Sequence, residues 1–356
     1  MKRICFCFLY AVFLLCSMFL MFSCSDNDSN GNDGEDKKYT GIPLIILDND
    51  IGSSTDDLFA MQMAYMYHRK GLCRLLGVVV NREGEDYAAC ADVMNTYYGF
   101  GFLPLGLERD GVKNPRVFND YRKLAEVKTS DGQLMFKTTI KDYSSIPDGC
   151  TVYRRLLAAQ PDHSVSICSI GFCTNLAHLI KTEGDEVSPL SGLQLIRKKV
   201  KCLYIMGGVF TSSDEPDYNF VMSGQSVRDL FALWPMDVEV VFSPMEVGNA
   251  IEYLKEDVLA DLSWADSHPI KYVYENIYNV NGGQKMWDPL TLIQAVEGDE
   301  EFILSERGVV TLSSEAATNF IPAAKGHCRY QKPGSNEWNM KMLNKIREAN
   351  RWKNEN

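Results

Sequence analysis

The chain has 356 residues, with 47 Asp and Glu against 36 Lys and Arg and a formal net charge of −11. That balance, without a basic stripe, excludes a nucleic-acid polymer as ligand and points to a small near-neutral substrate or a cation. The length suits one large α/β domain with long loops.

Lys2 and Arg3 precede an almost unbroken apolar run from Phe6 to Phe22, closed by Ser23-Cys24. A basic head, an apolar stretch and a small residue before the cut describe an export signal. A cysteine directly after it points to a lipoprotein leader. The alternative is a transmembrane anchor, since the run approaches the roughly 20 residues that a span needs. On the lipoprotein reading, residues 1–23 are the signal peptide and Cys24 carries lipid. The chain is then anchored to a membrane without spanning it, on the periplasmic side or at the cell surface. From Ser25 to Lys38 there is no large apolar residue. Residues 24–40 therefore read as a flexible tether, and 41–356 as the folded domain. The tether's start, Ser25-Asp26-Asn27-Asp28, resembles the export signal of surface lipoproteins of the Bacteroidetes.

The domain then alternates short apolar runs with longer amphipathic ones. Ile42–Leu47 reads as a strand buried on both faces, Asp56–His68 as a helix, Leu75–Val80 as a strand and Asp86–Tyr98 as a helix. Phe102–Leu107 reads as a strand, followed by an irregular stretch from Arg109 to Asp148. Val152–Ala159 is helical, Val165–Ile170 a strand, Asn175–Lys181 helical and Cys202–Met206 a strand. Val227–Leu233 is helical and Val238–Phe242 a strand. Repeated strand–helix units with near-continuous apolar strands mean an open, mostly parallel sheet with helices on both faces. Ligands of such sheets sit beyond the carboxyl ends of the strands. Of 11 cysteines, Cys73, Cys90, Cys150, Cys168, Cys173, Cys202 and Cys328 lie in the domain. None shows a CxxC spacing, which excludes a zinc site and a disulfide framework and leaves room for one incidental disulfide.

The first strand runs into Asp48, Asp50, Asp56 and Asp57. Four carboxylates so close repel one another. Either a hard cation compensates them or the helix N-terminus does, with Thr55 or Asp56 as cap. No GxGxxG, GxxxxGK[ST] or GxSxG follows a strand, so dinucleotide, P-loop and serine-hydrolase readings fail.

Asp48-Asn49-Asp50-Ile51-Gly52 with Asp56-Asp57 resembles the amino-terminal signature of the inosine/uridine-preferring nucleoside hydrolases. Five further segments resemble that family in the same order. They are Asn81 after the second strand, Gly171 to Ala177, Met206-Gly207-Gly208, Asp217-Tyr218-Asn219-Phe220 and Trp287-Asp288-Pro289-Leu290. The resemblance implies the family's single-domain α/β fold and calcium held by Asp50, Asp57, Asp288 and the backbone carbonyl of Thr174. Asp50 would also act as general base on the metal-bound water, so Asp50→Asn should remove turnover and leave the fold intact. Asp56, Asn81 and Asn219 would bind ribose hydroxyls and Asp217 the 5′-hydroxyl, with Met206 beside the sugar. The implied reaction is hydrolysis of ribonucleosides to base and ribose. The alternatives are a nucleoside- or sugar-binding lipoprotein without turnover and a hydrolase of another ribosyl compound. Family members also imply a homo-oligomer.

The chain departs from that pattern in three places. Two extra residues separate Asp50 from the Asp56-Asp57 pair, leaving open which of the two meets the metal. Asp217 stands where the family has glutamate, and only Asp214 offers a counterpart to a further asparagine. Trp287 replaces a histidine and resembles the purine-specific branch, in which tryptophan stacks on the base; a core tryptophan is the alternative. Asn276–Met286, with Gly282-Gly283, is a candidate loop over the base.

Overall fold

The computed structural model describes residues 39–113, 115–211 and 216–353. The leader, Cys24, most of the tether and Asp214 lie outside them. The chain from Lys38 onward forms one unit. Its strands are β1 (Leu44–Asn49), β2 (Arg74–Arg82), β3 (Leu105–Val112), β4 (Val165–Ser169), β5 (Val200–Met206), β6 (Glu239–Ser243), β7 (Glu252–Leu254), β8 (Gly283–Lys285), β9 (Gly308–Leu312), β10 (Thr318–Pro322) and β11 (Cys328–Tyr330). Nine of them form one sheet in the order β10-β9-β11-β6-β5-β4-β1-β2-β3, and β7 pairs with β8. The run from β11 to β3 is parallel throughout, and β9 is antiparallel to both of its neighbours. The expected open parallel sheet is therefore present, with an antiparallel edge.

Every residue of β1 is buried. Ile45 and Leu47 enter one core layer, whereas Leu44 and Ile46 enter the other. That is the two-residue alternation of a strand covered on both faces. Helices Asp56–Arg69, Glu85–Tyr97, Asp288–Glu297 and Asn336–Arg351 contribute to the first layer. Gly149–Ala158, Thr174–Lys181, Gly192–Lys199 and Gln225–Leu233 contribute to the second. The seven cysteines are free, and six of them are buried small hydrophobes.

Most boundaries agree with the sequence reading to within a few residues. The largest shift is β3, which runs Leu105–Val112 rather than Phe102–Leu107 and so takes the first residues of the stretch expected to be irregular. Pro104 has no N–H to give a ladder, and the preceding residues close a turn in which Leu103 N donates to Phe100 O. The irregular stretch 109–148 holds two short 3₁₀ turns, Arg122–Glu126 and Tyr143–Ser145. It is fastened by buried Asp92, whose carboxylate accepts from the backbone of Thr139 and Ile140 and from the Tyr143 hydroxyl. Tyr121 ties the same stretch to the acidic loop, its hydroxyl donating to Ser54 O at 2.5 Å.

Candidate active site

β1 has β2 on one side and β4 on the other, because the chain passes through β2 and β3 before returning to the opposite edge of β1. Connections leaving β1 and β4 therefore diverge, and a crevice opens at their carboxyl ends. There lies a cavity of about 420 Å³, within the range of small-molecule sites. Its wall carries Asp50, Asp56, Asp57, Asp288, Met206, Asp217, Asn219 and Trp287, eight of the residues named from the sequence.

Asp56, Asp57 and Asp288 each bring a carboxylate oxygen within 4.8 Å of the others. Two helix starts make this possible. Asp56 and Asp57 open the helix Asp56–Arg69, and Asp288 opens Asp288–Glu297 with Pro289 behind it. Both helices aim their positive ends at the acids. Thr55, the residue before the first helix, makes no side-chain cap; its hydroxyl meets Tyr274 and Gln284 instead.

The two neighbouring acids differ sharply. Asp56 Oδ1 accepts from Ser54 Oγ at 2.5 Å and from Gln284 Nε2 at 3.3 Å, and its Oδ2 from the Asp288 amide at 3.3 Å. Asp57 is equally buried, yet neither of its oxygens has a hydrogen-bond partner among the described residues. Burial, then the charges of Asp50 and Asp56, hold the Asp57 carboxyl well above its usual range. Burial likewise pushes Asp288 well up and Asp56 to about 6. A buried carboxylate without donors is costly unless a cation meets it. Opposite ligands on a calcium-sized ion lie about 4.6–5.2 Å apart. The trio therefore suits a divalent cation.

Asp50 lines the cavity but stands outside the trio. Arg82 Nη2 donates to its Oδ2 at 3.0 Å, and Arg82 Nε to its backbone oxygen at 2.6 Å. Burial raises the Asp50 carboxyl, and the Arg82 charge opposes that rise. Asn81 and Thr174 do not reach the cavity wall. Asn81 bridges strand ends, donating to Asp48 Oδ1 at 2.8 Å and accepting from the Phe172 amide at 3.1 Å. Thr174 Oγ1 lies 3.5 Å from Asn81 O. Asp217 caps the helix Tyr218–Ser223 through the Phe220 amide, and burial pushes it to about 7. Asn219 Nδ2 lies 3.3 Å from Met206 Sδ, so the two meet as neighbours in the wall. Trp287 Nε1 donates to Met245 O and to Asn249 Oδ1, which pins the indole edge.

No motif names the other wall residues one by one, although Tyr278, Gln284 and Lys285 fall within the candidate loop Asn276–Met286. Arg82 directly follows Asn81, and a charge closing a buried strand was its only signal. Phe118 and Asn119 come from the irregular stretch, and Tyr278, Gln284 and Lys285 from the segment before Trp287, part of which is strand β8.

These acids set an unusual pH response for the cation-free protein. Burial raises Asp48 and Asp217 to about 7. Between pH 8 and 6.5 the native state takes up protons that the unfolded chain does not, so stability rises as pH falls. His268, which burial lowers to about 3, opposes this across the same window, because its unfolded form gains a proton around 6.5 that the native form does not. One such group is outweighed by the two acids. The melting temperature in EDTA should therefore be higher at pH 6.5 than at pH 8. A divalent cation held by the trio would flatten or reverse the trend, since such an ion needs its acids ionised, and saturating calcium tests this. A flat profile in EDTA would show that these acids do not carry the charge.

Among solved structures the fold resembles a plant nucleoside hydrolase, PpNRh1, at 16% identity and a TM-score of 0.63, covering 86% of this chain and 98% of that one. It resembles the type III effector protein XopQ, solved with adenosine diphosphate ribose, at 15% identity and a TM-score of 0.63 (88% and 95%). A purine-preferring ribonucleoside hydrolase from Gardnerella vaginalis aligns at 14% identity and a TM-score of 0.61 (86% and 99%). No curated protein matches the sequence. The family model for the inosine-uridine preferring nucleoside hydrolases matches residues 45–353. With that match over nearly the whole folded unit and an acid cluster at the sheet's switch point, the chain belongs to the inosine-uridine preferring nucleoside hydrolase family and is an N-glycosyl hydrolase.

Proposed function

We propose that the chain is a calcium-dependent hydrolase of purine ribonucleosides, releasing free base and ribose. The observation that carries the calcium is Asp57, a buried carboxylate with two unpartnered oxygens beside Asp56 and Asp288. In this reading Asp57, Asp288 and Asp50 hold the ion, with the Thr174 carbonyl as the further ligand the family resemblance implies. Asp56, already fixed by Ser54 and Gln284, turns to the ribose. Bound calcium supplies positive charge and oxygen coordination for the sugar's vicinal diol and favours ionisation of the attacking water.

The chain's own groups do the rest. Asp50 takes a proton from water as its oxygen adds to the anomeric carbon. The carbon–nitrogen bond breaks, its electron pair leaves with the base, and the base takes a proton from solvent. The ribosyl group passes through an oxocarbenium-like state, which surrounding carboxylates stabilise. Trp287 supports the purine preference. Its N–H is engaged by Met245 and Asn249, so the indole offers a face for stacking rather than a proton for the base.

Inosine, adenosine, guanosine, uridine and cytidine would be assayed by reducing-sugar release, with EDTA and with calcium restored. Purines should be cleaved, EDTA should abolish cleavage and calcium should restore it. Trp287→Ala should weaken inosine binding by about tenfold, the value of one base–aromatic stack, and spare uridine. Inosine left intact over days would show a binding protein instead. We also propose that Cys24 is lipidated and the chain membrane-anchored at the periplasmic face or cell surface, on the strength of Ser23-Cys24 and the tether. Cys24→Ser should then move the protein from the membrane pellet to the soluble fraction. An unchanged pellet would refute it.

A further inference from the structure

Arg82 has no part in the reaction as drawn above, yet its geometry bears directly on Asp50. Among the described residues, the cavity wall carries two cationic side chains, Arg82 and Lys285. Lys285 is partly exposed and pairs with Glu252 at 3.2 Å. Arg82 is 1% exposed. Its guanidinium carbon lies 5.4 Å from the ring centre of Tyr87 and 5.2 Å from that of Phe172. Its Nη1 has no partner among the described residues. Both remaining nitrogens are spent on one residue: Nε on Asp50 O at 2.6 Å and Nη2 on Asp50 Oδ2 at 3.0 Å.

Two bonds from one rigid fork to the backbone and side chain of the same residue fix both together. On another side, Gly171 is packed so closely that an added Cβ would lie 2.7 Å from the Asp50 Cβ. Asp50 is thus bracketed between a glycine and a guanidinium that cannot itself swing away. No other side chain donates to the Asp50 carboxylate among the described residues.

We propose that Arg82 is a positioning residue: it withholds Asp50 Oδ2 and leaves Oδ1 alone to face the cavity. This rests on the hydrolase reading for its effect on turnover, but not for its effect on cation binding. Asp50 has two competing attractions, the guanidinium and the divalent ion that it would share with Asp57 and Asp288. Were Arg82 absent, the carboxylate would turn toward the ion with both oxygens, and a like charge beside the ion would vanish. The ion would be held more tightly, and the base would be lost from its station above the sugar. A residue that merely fills space would produce the opposite pairing, weaker cation binding with weaker folding.

The test is Arg82→Met, which keeps a long apolar side chain between the two rings but no N–H. Calcium alone is titrated by calorimetry, and inosine turnover is measured at saturating calcium. Calcium affinity should rise about threefold or more. kcat should fall roughly 10- to 100-fold, as when an outer partner of a site is lost, with KM little changed. Should the methionine variant not fold, Arg82→Lys serves. It keeps the charge without the fork, so calcium affinity should stay near that of the parent while kcat still falls. Unchanged kcat, or calcium affinity and kcat falling together, overturns the proposal. If the parent binds calcium but cleaves no nucleoside, the hydrolase reading fails on its own, and the calcium titration still decides. Tighter binding by the methionine variant then supports the bracket, and equal or weaker binding refutes it. A parent that binds no calcium overturns both.

Discussion

Asp57→Asn is expected to lower purine-nucleoside turnover by about 10³-fold or more and, in EDTA, to raise the melting temperature. Both follow from one fact: the Asp57 carboxylate is buried with two oxygens that nothing donates to among the described residues. In the proposed site those oxygens hold the cation, and losing them would remove several kcal/mol of charge stabilisation, which at about 1.4 kcal/mol per decade is about three orders of magnitude. Without the cation the Asp57 carboxyl must either stay charged in a buried place or take up a proton to fold, because burial and then the charges of Asp50 and Asp56 outweigh the Arg82 charge that opposes them. An amide carries no charge, so the cation-free variant should melt higher by about 2 °C or more. Calcium should then add little. In the parent a ligand at 100 times its dissociation constant adds about 2.7 kcal/mol. Scanning calorimetry of both proteins, with EDTA and with calcium, reads all four states. A variant that melts lower in EDTA and still gains fully from calcium would remove Asp57 from the ion.

The contrast between Asp56 and Asp57 shows where sequence reading ends. Asp48, Asp50, Asp56 and Asp57 were visible as a cluster because four acids follow a buried strand within ten residues. The sheet was visible because its parallel strands are apolar on both faces, as in β1. What separates the two helix-opening acids is long-range. Gln284, 228 residues away along the chain, donates to Asp56, and no periodicity announces such a partner. Asn81 shows the reverse: its position at the carboxyl end of β2 was legible, but its two hydrogen bonds bind the strand ends together, and it is not part of the cavity wall. The irregular stretch 109–148 could not be placed because buried Asp92 and Tyr121, not a repeating pattern, fasten it. The β9–β10 edge was likewise unread, since its strands are short and only partly buried.

Asp50→Asn tests the pair that the sequence did not reveal. From the chain alone, that substitution reads as a chemical change without structural consequence. The buried Arg82 alters that expectation, because the amide leaves a guanidinium that is 1% exposed without its ion-pair partner. Breaking one side of a buried ion pair typically costs about 3–5 kcal/mol. Asp50→Asn should therefore be distinctly less stable than the parent and, with the proposed general base gone, at least about 10³-fold slower on inosine. Removing both partners distinguishes the two effects. In the double variant Asp50→Asn with Arg82→Met, neither a carboxylate nor a guanidinium remains to be compensated. Stability should return most of the way, with a coupling energy of about 1–3 kcal/mol between the sites. Turnover should not return, since a repacked wall supplies no base. Urea midpoints for the four proteins, paired with inosine turnover, complete the cycle. Additive stability losses would mean that the pair at 3.0 Å is not what holds Asp50 in place, and turnover within about tenfold of the parent would mean that another group takes the proton.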